Sequence, residues 1–367
     1  MQIPAVNLKP CLDETEPAWR THLDELFARM HFILGSQLSA FEHEFAMALA
    51  ARHAIGVGNG TAAIELSLRA ARITGSGQEV ITSALTAPFT GVGIVAAGCR
   101  LRLADVDPET LLLDAADAGN RAGKRTAALV PVHLYGQPCD LGAFHAVARS
   151  IRAVLIQDAC QAHGARFRQR PLTAYSPFVC YSFYPTKNLG CLGDGGAVVT
   201  NQAGIAKRLM MLRDGGRRGG QVALVKGINS RLDEMQCCYL RAFLPKLEEW
   251  NAQRARTASL YDALLRDCEG VTRVRTSAES VHHLYVVRAG RRNRMREYLS
   301  KHGIATGVHY PAPLHLMPAF QESGLRRGDL PHAEKACREI VSLPLWPYMP
   351  QQSAMRVAER VKAFYAS

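Results

Sequence analysis

The chain has 367 residues, of which 48% are hydrophobic and 21% charged; this is the balance of a globular enzyme and excludes a disordered or membrane-embedded protein. Its formal charge of +12 raises nucleic acid as a partner, yet the densest basic run, Arg288 to Arg296, lacks interleaved aromatics and matches no nucleic-acid module. That run reads as a solvated face, and a basic surface also suits a phosphorylated or nucleotide-linked substrate.

Ten cysteines lie scattered without a CxxC pair, so neither a zinc site nor a disulfide framework is expected, and the thiols should be reduced and mostly buried. No stretch reads as a signal peptide or a spanning segment. The expectation is a cytoplasmic protein with no membrane and no nucleic-acid partner.

In chain order, residues 12 to 53 read as helical. Trp19, Leu23, Leu26 and Phe27, then Leu38, Phe41, Phe45 and Leu49, recur at helical spacing and are assigned to the core. Residues 54 to 60 run into glycines that open a helix from Thr61 to Ala70. Glycines at a helix start make an anion site, because free N–H groups and the helix dipole point outward. The cluster fails the dinucleotide fingerprint, since Thr61 stands where the last glycine belongs.

Strands are expected at Gln78 to Ser83, Leu101 to Val106, Ala127 to His133 and Ile151 to Asp158, alternating with helical stretches. That is the pattern of a mostly parallel sheet covered on both faces, an α/β fold. Gly119 to Arg125 resembles a P-loop but misses it at both ends.

Two ionisable residues then stand out. Asp158 ends a core strand, where a carboxylate is costly to bury without a positive partner, although such an acid also caps helices and turns. Lys187 follows the strand-like Phe178 to Phe183 and precedes Gly190, Gly193, Gly195 and Gly196, then the strand Ala197 to Thr200. It sits in a tight turn where backbone can approach a ligand. A lysine held among apolar and cationic groups loses its proton and condenses with an aldehyde, whereas a solvated one does not. Pyridoxal phosphate (PLP) would engage both residues, its aldehyde at Lys187 and its protonated ring nitrogen at Asp158.

Further on, Arg213 to Gly220 is a flexible loop whose arginines either reach substrate or are solvated. Leu240 to Asp267 reads as one long helix leading into a second unit, with short strands at Leu284 to Val287 and Val341 to Pro344. The division expected is a large domain over 1–245 and a small C-terminal α/β domain over 246–367. His309 and His315 lie in a proline-rich loop without an accompanying acid or third ligand, so no metal is expected; substrate contact and loop packing are the readings.

Asp158-Ala-Cys-Gln161-Ala-His-Gly, Ser182-Phe-Tyr-Pro-Thr-Lys187-Asn188-Leu-Gly and Gly193-Asp-Gly-Gly-Ala together resemble the DegT/StrS family of sugar aminotransferases. Further matches follow in order: Gly58 to Ala63, Asp105 to Pro108, Pro131 to Gly136, Gly227 to Gln236, His283 to Tyr285, and His309 to Pro311 with Leu314-His315. The resemblance covers nearly the whole chain. It implies the fold type I PLP-enzyme architecture, a mostly parallel sheet in a large domain beside a smaller C-terminal one.

The same resemblance assigns roles. Lys187 would form the Schiff base and shuttle protons; Asp158 would keep the ring nitrogen protonated; Gln161 would lie near the ring oxygen. Gly60, Thr61 and Ser182 would hold the phosphate, with Asn229 arriving from the other chain of a homodimer whose active site is shared. His309, Tyr310 and His315 would contact substrate. Where relatives place an aromatic directly after the threonine, this chain has Ala87; Phe89 either takes over the stacking on the cofactor or packs in the core.

The activity implied is transfer of an amino group from an amino acid, L-glutamate expected, to a keto sugar, nucleotide-linked, in amino-sugar biosynthesis. The cofactor would pass through pyridoxamine phosphate. Relatives with histidine at the lysine position dehydrate sugars instead, and the intact Lys187 argues for transamination. A carbocyclic ketone of the aminocyclitol type is the alternative acceptor, and a PLP-fold sensor or regulator without turnover the alternative from another class.

Overall fold

The computed structural model describes residues 2–366. Helices α1 (Lys9–Glu14), α2 (Glu16–Arg29) and α3 (Ser36–Ala48) lead into a sheet built from β1 (His53–Val57), β2 (Glu79–Ser83), β3 (Arg100–Ala104), β4 (Thr126–Val130), β5 (Val154–Asp158), β8 (Phe178–Ser182) and β9 (Gly196–Thr200). A small hairpin of β6 (Arg166–Phe167) and β7 (Arg170–Pro171) stands apart. The strand order is β1-β9-β8-β5-β4-β2-β3. The run from β8 to β3 is parallel, and β9 is antiparallel to both of its neighbours.

The α/β architecture expected from the alternation of elements is therefore present. Its cause is visible along single strands. In β8, Phe178 and Cys180 join one hydrophobic cluster while Val179 and Tyr181 join another, and in β9 Val198 parts company with Ala197 and Val199 in the same way. Side chains alternate faces along a strand, so a strand apolar at every position must be covered twice. The covering helices are α4 (Gly60–Ala70), α5 (Pro88–Ala96), α6 (Ala115–Arg121), α7 (Leu141–Ile151), α8 (Ala203–Arg213) and, with α3 on the other face, α9 (Glu234–Phe243).

The C-terminal part packs α10 (Leu247–Leu264), α11 (Arg292–Lys301), α12 (Pro331–Glu339) and α13 (Gln351–Ala366) around a second sheet of β10 (Val271–Arg273), β11 (Tyr285–Ala289) and β12 (Ile340–Leu343), ordered β10-β11-β12. Its core contains Tyr261, Val287, Leu299 and Val357, all fully buried, and also Ile3. Ile3 bonds Gly303 and Ala305, and Ala5 O accepts from Leu345 N, so the N-terminal tail is knitted into the C-terminal part. A cut at residue 245 separates these partners.

Several expectations shift on folding. Ile151 ends α7, Arg152 takes a left-handed conformation at φ 55°, and the strand toward Asp158 starts only at Val154. The long helix expected from Leu240 is interrupted by a short turn at Leu244–Lys246, where Pro245 cannot donate a backbone hydrogen bond. Phe27, assigned to the core by spacing, is half exposed at 50%. The basic run is less solvated than expected: Arg288 pairs with Glu339 at 2.7 Å, Arg292 bonds the carbonyls of Cys337 and Ile340, and Arg291 lies over Phe364.

Candidate active site

Parallel pairing of β5 with β8, in register Asp158 opposite Cys180, brings Asp158 and Ser182 out at the same end of the sheet. There they meet α4, which starts immediately beyond β1. Asn59 caps α4 by accepting from Ala62 N at 2.8 Å, while the N–H groups of Gly60 and Thr61 donate to nothing among the described residues. A Cβ on Gly60 would lie 2.7 Å from Ser182 Cβ and 2.8 Å from Cys160 Sγ, so only glycine lets the helix start seat against these strand ends.

Between β8 and β9 the chain folds back on itself. Phe183 N donates to Gly195 O, Cys191 N to Phe183 O, and Lys187 N to Tyr184 O at 2.9 Å. A Cβ at Gly190 would stand 2.5 Å from Pro185 O, which is why the turn carrying Lys187 is glycine-bound. Asn188, the next residue, anchors the turn by donating to Asn251 Oδ1 and Val281 O.

A cavity of about 550 Å³ opens over these elements, lined by Lys187, Asp158, Gly60, Thr61, Ser182 and Gln161, with Phe89, His309 and Tyr310 among the other walls. Lys187 is partly buried, and its Nζ has no hydrogen-bond or ion-pair partner among the described residues. Burial pushes its pKa down, against the opposing pull of Cys160 and then Asp158. The imidazoles of His163 and His309 are pushed down to about 3 and about 4, in each case by burial first and by Lys187 second.

Asp158 is only 4% exposed. It accepts from the Thr90 hydroxyl at 2.8 Å and from Cys160 N at 3.1 Å, yet no lysine, arginine or histidine among the described residues pairs with it. A carboxylate buried without a counter-charge fits a cationic ligand group. The residues present thus fit PLP: an unpaired amine, an uncompensated carboxylate, and free N–H donors at a helix start, all on one cavity.

Gln161 accepts from Tyr135 N at 2.7 Å and donates to Tyr310 Oη at 3.1 Å, tying the end of the sheet to the 309–310 loop, and Tyr135 Oη donates to His309 O. His309 Nδ1 lies 2.8 Å from Ser342 Oγ. Phe89, at 64% exposure, stands on the cavity wall rather than in the core, the second of its two readings.

The structure does not bring His315 to the cavity: it is 2% exposed and 3.1 Å from Glu334. Nor does it bring Asn229 there within one chain; that residue is exposed and bridges to Asp214. The loop arginines divide, with Arg213 buried against Glu42 and Gly56 O, and Arg217 paired with Asp214 at 2.7 Å.

Sequence reasoning missed Thr90, Cys160, His283 and Arg254. Thr90 was within reach, lying four residues past Thr86 in the same Thr86 to Thr90 stretch. Arg254, 2% exposed, donates Nη1 to the carbonyls of His283 and Leu345, and burial lowers its pKa to about 10. Nothing local in α10 marks it.

Among the described residues there is no cluster suited to a metal ion, and no helix is long and apolar enough to cross a membrane. Comparison with known proteins matches residues 15–362 to the DegT/DnrJ/EryC1/StrS aminotransferase family. The chain is similar to a pleiotropic regulatory protein of Geobacillus stearothermophilus, with 38% identity over 100% of this chain and 99% of that one. It is similar to the dTDP-3-amino-3,4,6-trideoxy-alpha-D-glucose transaminase of Streptomyces venezuelae, with 39% identity over 98% and 96%. Among solved structures, S. venezuelae DesV in complex with a ketimine intermediate superposes with a TM-score of 0.97 at 38% identity, covering 100% of this chain and 99% of that one. The chain belongs to the DegT/DnrJ/EryC1/StrS aminotransferase family and is a PLP-dependent aminotransferase.

Proposed function

We propose that this aminotransferase takes an amino group from an α-amino acid, L-glutamate first, and delivers it to the keto carbon of a nucleotide-linked sugar. The observation that carries the reading is the pairing, on one cavity wall, of an unpartnered Lys187 with an Asp158 that lacks a counter-ion. The sugar comes from the likeness to the S. venezuelae transaminase, whose name specifies a dTDP-linked amino sugar. A cavity of about 550 Å³ has room for a cofactor and a sugar ring.

When bound, PLP supplies a carbonyl carbon that accepts an amine and a ring that takes up the electrons of a broken C–H bond. Lys187 would hold that carbon, and Asp158 the ring nitrogen's proton. The free N–H groups of Gly60 and Thr61, with the Ser182 hydroxyl, would receive the phosphate at the start of α4. Phe89 would stack on the ring, and Gln161 would lie at its oxygen.

Lys187 is also the group that moves protons. Burial favours its neutral amine, so once released it would take the proton from the donor's α-carbon and deliver it to the cofactor carbon it had held. His309 and Tyr310 would read the substrate from the far wall. The buried placement of His315 supports loop packing, not substrate contact.

The site is completed by a second copy of the chain, which would bring its Asn229 to the phosphate. Exposed apolar residues, Met30, Leu192 and Met235 among them, suit such a homodimer. The chain would work in the cytoplasm, with domains dividing near residue 245 except that the N-terminal tail around Ile3 joins the second.

The experiment is the absorbance spectrum of purified protein with PLP, before and after L-glutamate, beside Lys187→Ala. A lysine-dependent band that disappears on adding glutamate is expected. Absence of any lysine-dependent band overturns the reading; a band indifferent to glutamate moves the donor to another amino acid. A panel of nucleotide-linked ketosugars and carbocyclic ketones, with labelled glutamate, then identifies the acceptor.

A further inference from the structure

We propose that His283 is the proton acceptor that readies the amino donor, taking a proton from its ammonium group through Nε2; this rests on the transamination reading above. The inference comes from hydrogen-bond directions around Asn188, the residue next to Lys187. Asn188 Nδ2 lies 2.8 Å from Val281 O, and a main-chain carbonyl can only accept, so this edge of the amide is its NH₂ group. The opposite edge is the oxygen, 3.1 Å from His283 Nδ1. An amide oxygen cannot donate, so Nδ1 carries the hydrogen.

In a neutral ring the lone pair then belongs to Nε2. That nitrogen has no hydrogen-bond partner among the described residues, and His283 lines the cavity with Lys187. Arg254 fixes the backbone of the same residue by donating to its carbonyl at 3.2 Å. The ring is held from two sides with one basic nitrogen left over.

The ring also stays neutral at rest. Burial lowers its pKa well below the usual histidine value, followed by Lys187 from the turn after β8, Arg254 from α10, His309 from the loop after α11 and His163 from the loop after β5. A neutral ring presents its Nε2 lone pair to the donor's N–H, and because burial makes it a weak base the proton it takes is held only transiently. In the step itself, an N–H bond of the donor's ammonium breaks, an Nε2–H bond forms, and the donor nitrogen keeps the electron pair. The proton then leaves Nε2 for solvent through the open cavity, so that Lys187 is released as the neutral amine its own proton transfer requires.

The test starts with ¹⁵N-histidine NMR of the cofactor-free protein. A protonated Nδ1 and a bare Nε2 on His283 are expected, and the opposite tautomer overturns the proposal. Next, the decay of the lysine-dependent band on mixing with L-glutamate is followed against pH. His283→Gln should slow it about 10²-fold or more. Asn188→Asp should move the acid limb of the profile to higher pH, since a carboxylate beside Nδ1–H favours the imidazolium. A His283→Gln protein with the wild-type rate and acid limb overturns the proposal while leaving transamination standing. A wild-type protein that responds to no amino acid overturns the transamination reading first and this one with it.

Discussion

Thr90 donates its hydroxyl hydrogen to Asp158 Oδ2 at 2.8 Å, and Thr86 Oγ1 stands 3.0 Å behind it. One hydroxyl hydrogen serves one acceptor, so Thr86 must donate to Thr90, and the two bonds polarise each other toward the carboxylate. The start of α5 thereby presents a hydroxyl donor to the Asp158 carboxyl group. Thr90→Val keeps the shape and removes the donor. A hydrogen bond to a charged group contributes about 1.5–3 kcal/mol, so PLP should bind roughly tenfold to a hundredfold more weakly. Fluorescence titration of the cofactor measures this, and unchanged affinity would show that Asp158 does not need the bond.

Gly60 predicts a different failure. An added methyl would stand under 3 Å from both Ser182 Cβ and Cys160 Sγ, so α4 must retreat from the strand ends. Gly60→Ala should cost about 1–3 kcal/mol of stability in urea denaturation, with loss of PLP affinity beyond that of a surface variant. Cys160→Ala removes one of the two obstructions, and the double variant should recover part of the loss.

How far the sequence carried differs by element. The alternation of strands and helices, the carboxylate at the end of β5 and the lysine among glycines were legible because each is a local pattern. What escaped are partnerships across the fold. Arg254 lies in an ordinary helix and matters because α10 carries it to the carbonyl of His283, 29 residues away. Ile151 looked like strand because it is β-branched and apolar, but Leu141, Phe144 and Ala148 set a helical stripe that extends α7 through it. Histidine in a proline-rich loop looked alike at 309 and 315; only packing reveals that one faces the cavity and the other Glu334.

Lys187 gives a pH prediction for the cofactor-free protein. Its folded pKa lies below the unfolded value of 10.5, chiefly through burial. Between the two values the unfolded chain binds more protons, so stability rises with pH across that window. Below the folded pKa the full cost of burying the charge is present. Lys187→Met should therefore stabilise the cofactor-free protein at neutral pH, and its advantage should shrink as pH climbs toward 10.5. Denaturation of both proteins at several pH values tests this; an advantage that grows with pH contradicts it.

His315 is buried against Glu334, away from the cavity. Its Nε2 lies 3.1 Å from Glu334 Oε1, which also accepts from Gly328 N at 2.6 Å. Desolvation raises the Glu334 pKa, but Gly328 and His315 outweigh it and leave it below the usual value. His315→Ala should lower stability by about 1–3 kcal/mol, the cost of stranding a buried partner, while KM for both substrates stays unchanged. A selective rise in KM would return His315 to the substrate site.

In the homodimer proposed above, Asn229 and Lys187 of one chain would serve different active sites, which subunit mixing can test. Lys187→Ala and Asn229→Ala homodimers should each be impaired, the first inactive and the second weak in cofactor binding. In a mixed dimer, one site combines both defects and the other receives an intact Lys187 from one chain and an intact Asn229 from its partner. After exchange at equal concentrations half the dimers are mixed, so about a quarter of all sites should recover wild-type cofactor affinity and turnover. If Asn229 instead serves the site of its own chain, every site in the mixed dimer carries one defect, and activity stays at the mean of the two parents. The exposure of Asn229, outside the walls of its own chain's cavity, favours recovery.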